Sequence, residues 1–298
     1  MGGSWCSMVS VIRQSADNAQ RCAKIGLWEK GLFCFLLLIS LMVLHSPAEG
    51  DVREGKEEPL RVQVPILLYH RFGPVVADNM TVTTPVFESH LRYLKENGYT
   101  VIPLRQLVDH FLRKGPPPPP RSVVIVADDG HKTVYSDMFP LVRQYRVPVT
   151  LFIYPSAISN ASYAMTWDQL RELKKSGLFD FQSHSYWHPN FRKDKKRMNA
   201  AEYERSVDMQ LKKSRVKLEK ELGVNVDMLA WPFGISDEDL IGRARADGYS
   251  AAFTIERHNA SALDNIMALP RYIVVNADRG KVFEMLVRGN APKRNIIY

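Results

Sequence analysis

The sequence predicts an α/β protein built as a distorted (β/α) barrel, in one domain after an N-terminal apolar segment. Three observations predict it. Short apolar runs of strand length alternate with amphipathic stretches of helix length from about residue 62 to residue 288. The run Ser122-Val123-Val124-Ile125-Val126-Ala127 is almost continuously apolar, as a strand covered on both faces of a parallel sheet must be. Polar residues stand where these runs end: His70, Asp128-Asp129, His184 and Trp231-Pro232-Phe233. Barrels collect their functional groups at the C-terminal ends of their strands.

Taken in order, residues 62–69 read as the first strand, ending in His70. Phe87, Leu91 and Leu94 share one face of a helix over 87–97, and 100–102 is a second strand. A helix follows over 104–113, then a stiff proline spacer at 116–120. The strand at 122–127 runs into Asp128-Asp129-Gly130. Beyond it come a helix over 135–145, a strand over 147–154, and a helix from 167 to 175 with Thr166 as its N-cap. Residues 179–181 form a strand leading to Ser183-His184. A long polar helix spans 199–222, a strand 226–231, a helix 237–247, strands 251–255 and 272–275, and a last helix 279–288.

Upstream, residues 31–44 read GLFCFLLLISLMVL, without a charge, between basic residues and a polar stretch. Fourteen residues is short for a span of about 20, and the layout is that of a signal peptide or an uncleaved membrane anchor. The organisation is therefore 1–50 signal or anchor, 51–61 linker, and 62–298 the domain. Export follows, to a membrane-anchored, cell-envelope or extracellular location, with the membrane as a partner through the N-terminal segment.

The net charge is +8. The first 50 residues contribute +1, so the body carries +7 and favours anionic surfaces. The densest basic run, Arg192 to Arg197, reads as a solvated loop or helix start. No nucleic-acid signature is present, and no protein partner is expected. All three cysteines, Cys6, Cys22 and Cys34, precede the body. A metal site in the body must therefore use histidine and carboxylate.

Two adjacent carboxylates at the end of a buried strand repel each other and lose hydration, a cost that a cation or a proton offsets. On extended backbone Asp128 and Asp129 would point in opposite directions and hold different roles. His184 and His188 are four residues apart, a spacing that places two imidazoles on one side of a tight turn. Pro189 argues for a loop rather than a helix. Two histidines and one carboxylate make a metal site with positions left open for water and substrate. A surface turn for Asp-Gly, and a satisfied structural role for the histidines, are the plainer alternatives.

These motifs resemble those of the polysaccharide deacetylases, the NodB-homology domains of carbohydrate esterase family 4. Asp128-Asp129-Gly130 matches the first motif and His184-Ser185-Tyr186-Trp187-His188-Pro189 the second. Trp231-Pro232-Phe233-Gly234 resembles the third. Leu68-Tyr69-His70, Gly98-Tyr99 and Leu269-Pro270-Arg271 look like the branch that contains poly-N-acetylglucosamine deacetylases. The resemblance covers about residues 65–275 and implies a metal-dependent hydrolase that removes N-acetyl groups from an N-acetylglucosamine polysaccharide. Asp129, His184 and His188 would hold a divalent metal, zinc in the first instance, with cobalt or nickel as alternatives. Asp128 would be the base, and the backbone N–H near Phe233 would stabilise the oxyanion. Tyr69, Trp187, Trp231 and Phe233 are candidates for packing on sugar faces.

Two departures stand out. The family's third motif carries an arginine two residues before its proline; this chain has Ala230, and Arg271 is the candidate replacement. The family's late Leu-x-x-His, which supplies the proton donor, is not visible. His70 is the candidate in its place, ahead of His258, and His131 stands where proline or tyrosine is commoner. These departures keep two alternatives open: a degenerate domain that binds glycan without turnover, and an O-acetyl esterase on the same fold.

Overall fold

Pro65 divides the first predicted strand in two. β1 (Gln63–Val64) pairs antiparallel with a strand at Ala260–Ser261, whereas β2 (Ile66–Tyr69) pairs parallel with one at Ser122–Asp128. Proline has no N–H for a ladder, so the chain changes partners there. The computed structural model describes residues 62–292. The signal or anchor expected over 1–50 and the linker expected over 51–61 lie outside the described residues. Among the described residues no helix is long and apolar enough to cross a membrane.

β3 (Arg71–Gly73) and β4 (Thr81–Thr83) form a small parallel pair beside the main sheet. β5 (Thr100–Val101) pairs with the start of β6 (Ser122–Asp128). The main sheet continues through β7 (Val149–Ile153), β8 (Phe179–Ser183), β9 (Met228–Ala230) and β10 (Ala251–Phe253). β11 is the Ala260–Ser261 strand, and β12 is Tyr272–Ile273. The order β10-β9-β8-β7-β6-β2-β12 is parallel throughout. One stretch of chain joins the two edges. Leu269 bridges to Phe253 of β10, and Tyr272 and Ile273 pair with Leu67 and Leu68 of β2. The predicted distorted barrel is thus a curled parallel sheet whose edges share a closing segment.

The period of two in each strand sorts the core into two layers. Leu68, Val124, Val126, Phe152, Ala230 and Phe253 belong to one cluster inside the curl. Leu67, Tyr69, Val123, Ile125, Ala127 and Ile153 belong to the other, packed against the helices. This alternation corrects the expectation that Tyr69 meets substrate. Tyr69 is fully buried on the helix side, where its hydroxyl bonds to His90 Nδ1 at 3.0 Å.

Local chemistry sets the helix ends. α1 (Thr84–Glu96) begins three residues before its predicted start because Pro85 occupies the first turn, where its fixed φ suits a helix. α2 is Leu104–Phe111. The helix predicted over 135–145 has two geometries, a π turn at Val134–Met138 and then α3 (Phe139–Tyr145), with Pro140 in the first turn of α3. Pro140 cannot donate to the preceding turn, which widens there. α4 (Trp167–Lys175) starts on the expected Thr166, in a reciprocal capping box with Gln169. The basic run folds into a short helix, α5 (Phe191–Arg197). α6 (Ala200–Leu222) runs from an Asn199 cap to Gly223 in the left-handed conformation. α7 (Glu238–Ala246) and α8 (Lys281–Val287) complete the helical layer.

Candidate active site

β6 carries Val124 and Val126 into the curl of the sheet, and the same alternation turns Asp128 inward at its end. The backbone then bends sharply, with φ at +75° for Asp129 and +74° for Gly130. Extended backbone would have parted the two carboxylates. The left-handed turn instead folds the second back beside the first. His184 Nε2 lies 3.6 Å from Asp128 Oδ2 and 3.7 Å from Asp129 Oδ1.

His184 follows directly after β8. Its Nδ1 lies 2.8 Å from the carbonyl oxygen of Ala230 at the end of β9. A carbonyl only accepts, so the ring proton sits on Nδ1 and Nε2 keeps a lone pair facing the carboxylates. Ser185 and His188 have φ of +62° and +56°, in the left-handed region that costs a non-glycine residue about 1 kcal/mol or more. The buried Gln210 of α6 compensates: its side-chain oxygen accepts from the N–H groups of Tyr186 at 3.1 Å and Trp187 at 2.7 Å. The curled loop brings the rings of His184 and His188 to 4.5 Å and sets His188 Nε2 3.9 Å from Asp129 Oδ1.

One ligand atom each from Asp129, His184 and His188 lie within 4.8 Å of one another. The donor set fits a divalent cation, and so does its electrostatics. Burial, reinforced by Asp128, pushes the Asp129 carboxyl up to about 7, a cost that a bound cation offsets. Burial also lowers His188 to about 4 and His184 well below its ordinary value. Both rings are therefore neutral near pH 7, as metal ligands must be.

Asp128 is gripped from across the barrel. Arg271 NH1 and NH2 donate to its two oxygens at 2.8 and 2.9 Å, and Arg271 Nε donates to the Thr254 carbonyl at 2.9 Å. Arg271 is fully buried on the segment that closes the sheet. It thus stands by the carboxylate for which the position of Ala230 holds no arginine. His70, at the end of β2, lines the same cavity; its Nδ1 has no hydrogen-bond partner, and burial lowers its pKa to about 4.

The cavity has a volume of about 330 Å3, near the small end of ligand sites. Besides the residues above it is walled by Trp231, Phe233, Gly234 and Ile255. Trp231 is fully buried, its indole N–H donating to the Met267 carbonyl at 2.9 Å; it forms wall rather than an open sugar platform. Phe233 has φ of +57° and its ring lies 4.6 Å from that of His188. Trp187 is 55% exposed and stands outside the cavity lining. His131 bonds to Thr133 and stacks near Tyr163, and His258 bonds to Asp264; neither lines the cavity. Sequence reasoning missed Arg71, Asp78, Asn79 and Met80, which form another wall. Arg71 follows His70 directly, a signal that was available; residues 78–80 reach the site only through the β3–β4 pairing.

Residues 115–252 match the family model described as Polysaccharide deacetylase. Over these residues the chain is similar to the polysaccharide deacetylase family. Among curated proteins it is similar to the poly-beta-1,6-N-acetyl-D-glucosamine N-deacetylase of Staphylococcus epidermidis, 27% identical over 240 residues, covering 79% of this chain and 80% of that one. The enzyme of the same name from Staphylococcus aureus (strain MRSA252) is 26% identical over 214 residues, covering 70% and 72%. Among solved structures, the Streptococcus pyogenes deacetylase PplD superposes with a TM-score of 0.68 at 22% identity, covering 78% of this chain and 99% of that one. IcaB from Ammonifex degensii gives 0.64 at 21% identity, covering 72% and 93%. These two structures share the fold. His70 and Arg271 both fall outside the residues that the family model matches.

Proposed function

We propose that residues 62–298 form a metal-dependent hydrolase that removes N-acetyl groups from an N-acetylglucosamine polysaccharide. The activity named for the staphylococcal relatives favours a β-1,6-linked polymer. The observation that carries the reading is the cluster of Asp129, His184 and His188 with Asp128, itself fixed by Arg271, 3.6 Å from His184.

Asp129, His184 and His188 would hold a divalent cation, zinc by the donor set with cobalt or nickel as alternatives, which would supply a Lewis acid and lower the pKa of a water to near neutral. Asp128 would serve as the base for the attacking water. Arg271 occupies one lone pair on each carboxylate oxygen and leaves another to accept. A backbone N–H near Phe233, a residue of the cavity wall, would donate to the oxyanion that develops on the acetamide carbonyl. His70 passes the proton to the leaving amine nitrogen. Its ring starts neutral, so it must take up a proton before it can deliver one. The arginine missing at Ala230 and the missing late histidine both favour a non-catalytic glycan binder; the Arg271–Asp128 contact answers the first of these.

The test is acetate release from N-acetylglucosamine oligomers by the metal-loaded protein. Release should stop on chelation and return when metal is restored. A metal-loaded protein that binds the oligomer yet frees no acetate sinks the proposal, and faster release from O-acetylated xylan would reassign the substrate. Zinc, cobalt and nickel additions to the stripped protein rank the metals. We further propose that the apolar segment at 31–44 exports the domain and either tethers it or is cleaved; the mass of the mature protein distinguishes the two.

A further inference from the structure

The β3–β4 connection builds a polar wall that the hydrolytic chemistry does not use. Parallel strands ordinarily need a crossover of a dozen or more residues, yet only residues 74–80 join Arg71–Gly73 to Thr81–Thr83. The short return brings Asp78, Asn79 and Met80 to the cavity beside Arg71, all four in its lining. Asp78 is set before any ligand arrives. Its Oδ1 accepts from the Met80 N–H and the Thr81 hydroxyl, each at 2.9 Å, and its Oδ2 accepts from Arg71 NH1. Arg71 keeps its Nε buried without a hydrogen-bond partner. A buried donor left unpaired is costly, and such groups mark sites that await something.

We propose that Arg71, Asp78 and Asn79 read the hydroxyls of the sugar in this cavity, making Arg71 a specificity-determining residue for a hexosamine unit. The inference rests on the hydrolase reading above. A sugar hydroxyl both donates and accepts. A guanidinium fork, a fixed carboxylate and a side-chain amide on one wall offer both complements. A cavity of about 330 Å3 has room for one sugar unit, so this wall can meet the ring that carries the acetamide. A site built to pair hydroxyls also rejects a ligand that lacks them, because its own polar groups then stay unpaired.

The test compares two acetyl substrates on the metal-loaded full chain: an N-acetylglucosamine oligomer, and para-nitrophenyl acetate, which has no sugar hydroxyls. The readout is the ratio of kcat/KM on the oligomer to kcat/KM on the ester. Arg71→Met should lower this ratio about tenfold or more, mainly through KM for the oligomer. Equal losses on both substrates, leaving the ratio within about twofold of wild type, overturn the proposal and make Arg71 a structural or field-setting group. Should Arg71→Met fail to fold, Asn79→Ala carries the same test from an exposed loop position. Its ratio should fall about threefold or more, and an unchanged ratio again overturns the proposal. Failure of the underlying reading looks different: the wild type itself would cleave the ester and release no acetate from the oligomer.

Discussion

Arg271 and Asp128 are 143 residues apart in sequence and meet through two parallel hydrogen bonds of 2.8 and 2.9 Å, both side chains almost fully buried. Removing one partner of such a pair leaves the other charge stranded, a cost of about 3–5 kcal/mol. Arg271→Met should therefore lower the urea midpoint and reduce kcat on the order of 100-fold, because the base loses its fixed orientation. Arg271→Lys keeps the charge and loses the fork, so its kcat should also fall. A lysine variant within about threefold of wild-type kcat would show that charge alone suffices.

The two aspartates should separate in a metal assay. Asp128→Asn should retain bound metal and lose about 100- to 10,000-fold in kcat, the range of a general base. Asp129→Asn should lose the metal itself. Metal content of the two purified variants checks this. Equal loss of metal from both would mean that Asp128 is a ligand too, as its 3.6 Å approach to His184 permits.

His90 predicts an acid limb in stability. Burial lowers its pKa to about 4, and its ring is locked between the Tyr69 hydroxyl and the Asp278 carbonyl. An unfolded histidine titrates near 6.5. Between about pH 6.5 and 4 the unfolded chain therefore binds the extra proton. His90 contributes full stability above that window and loses it as pH falls through it, at up to about 1.4 kcal/mol per pH unit. His90→Gln retains one donor and one acceptor but does not titrate. Urea midpoints from pH 7.5 to pH 4.5 should fall less steeply in the variant, and parallel curves would remove His90 from the account.

Gly234 should tolerate no side chain. Its φ is +67°, and a methyl carbon placed there would lie 2.5 Å from Ile255 Cγ1. Gly234→Ala should cost about 1–3 kcal/mol and displace the neighbouring Phe233 N–H, lowering kcat. Adding Ile255→Ala relieves the contact but not the backbone strain, so the double variant should recover part of the loss. No recovery would assign the whole effect to φ.

Several features of this protein were legible in the sequence by itself because they are local. Apolar periodicity gave the strand at 122–127 and the alternation of strands with helices, and Thr166 marked its helix start. The spacing of Asp128-Asp129 and His184-x-x-x-His188 pointed to residues that do gather into a candidate metal site, since they meet through strand ends that a parallel sheet brings together. Tertiary structure alone decided what depends on backbone sign and on distant pairings. A positive φ at Asp129 placed both carboxylates on one side, where extended backbone would have parted them. Strand parity buried Tyr69 among the helices and left His70 at the cavity. Arg271 reached Asp128 only because one closing segment pairs with both edges of the sheet, and Asp78 and Asn79 reached the cavity only through the β3–β4 return. A contact between residues far apart in sequence leaves no periodic trace, so the partner of Asp128 that Ala230 does not supply became visible only in the folded chain.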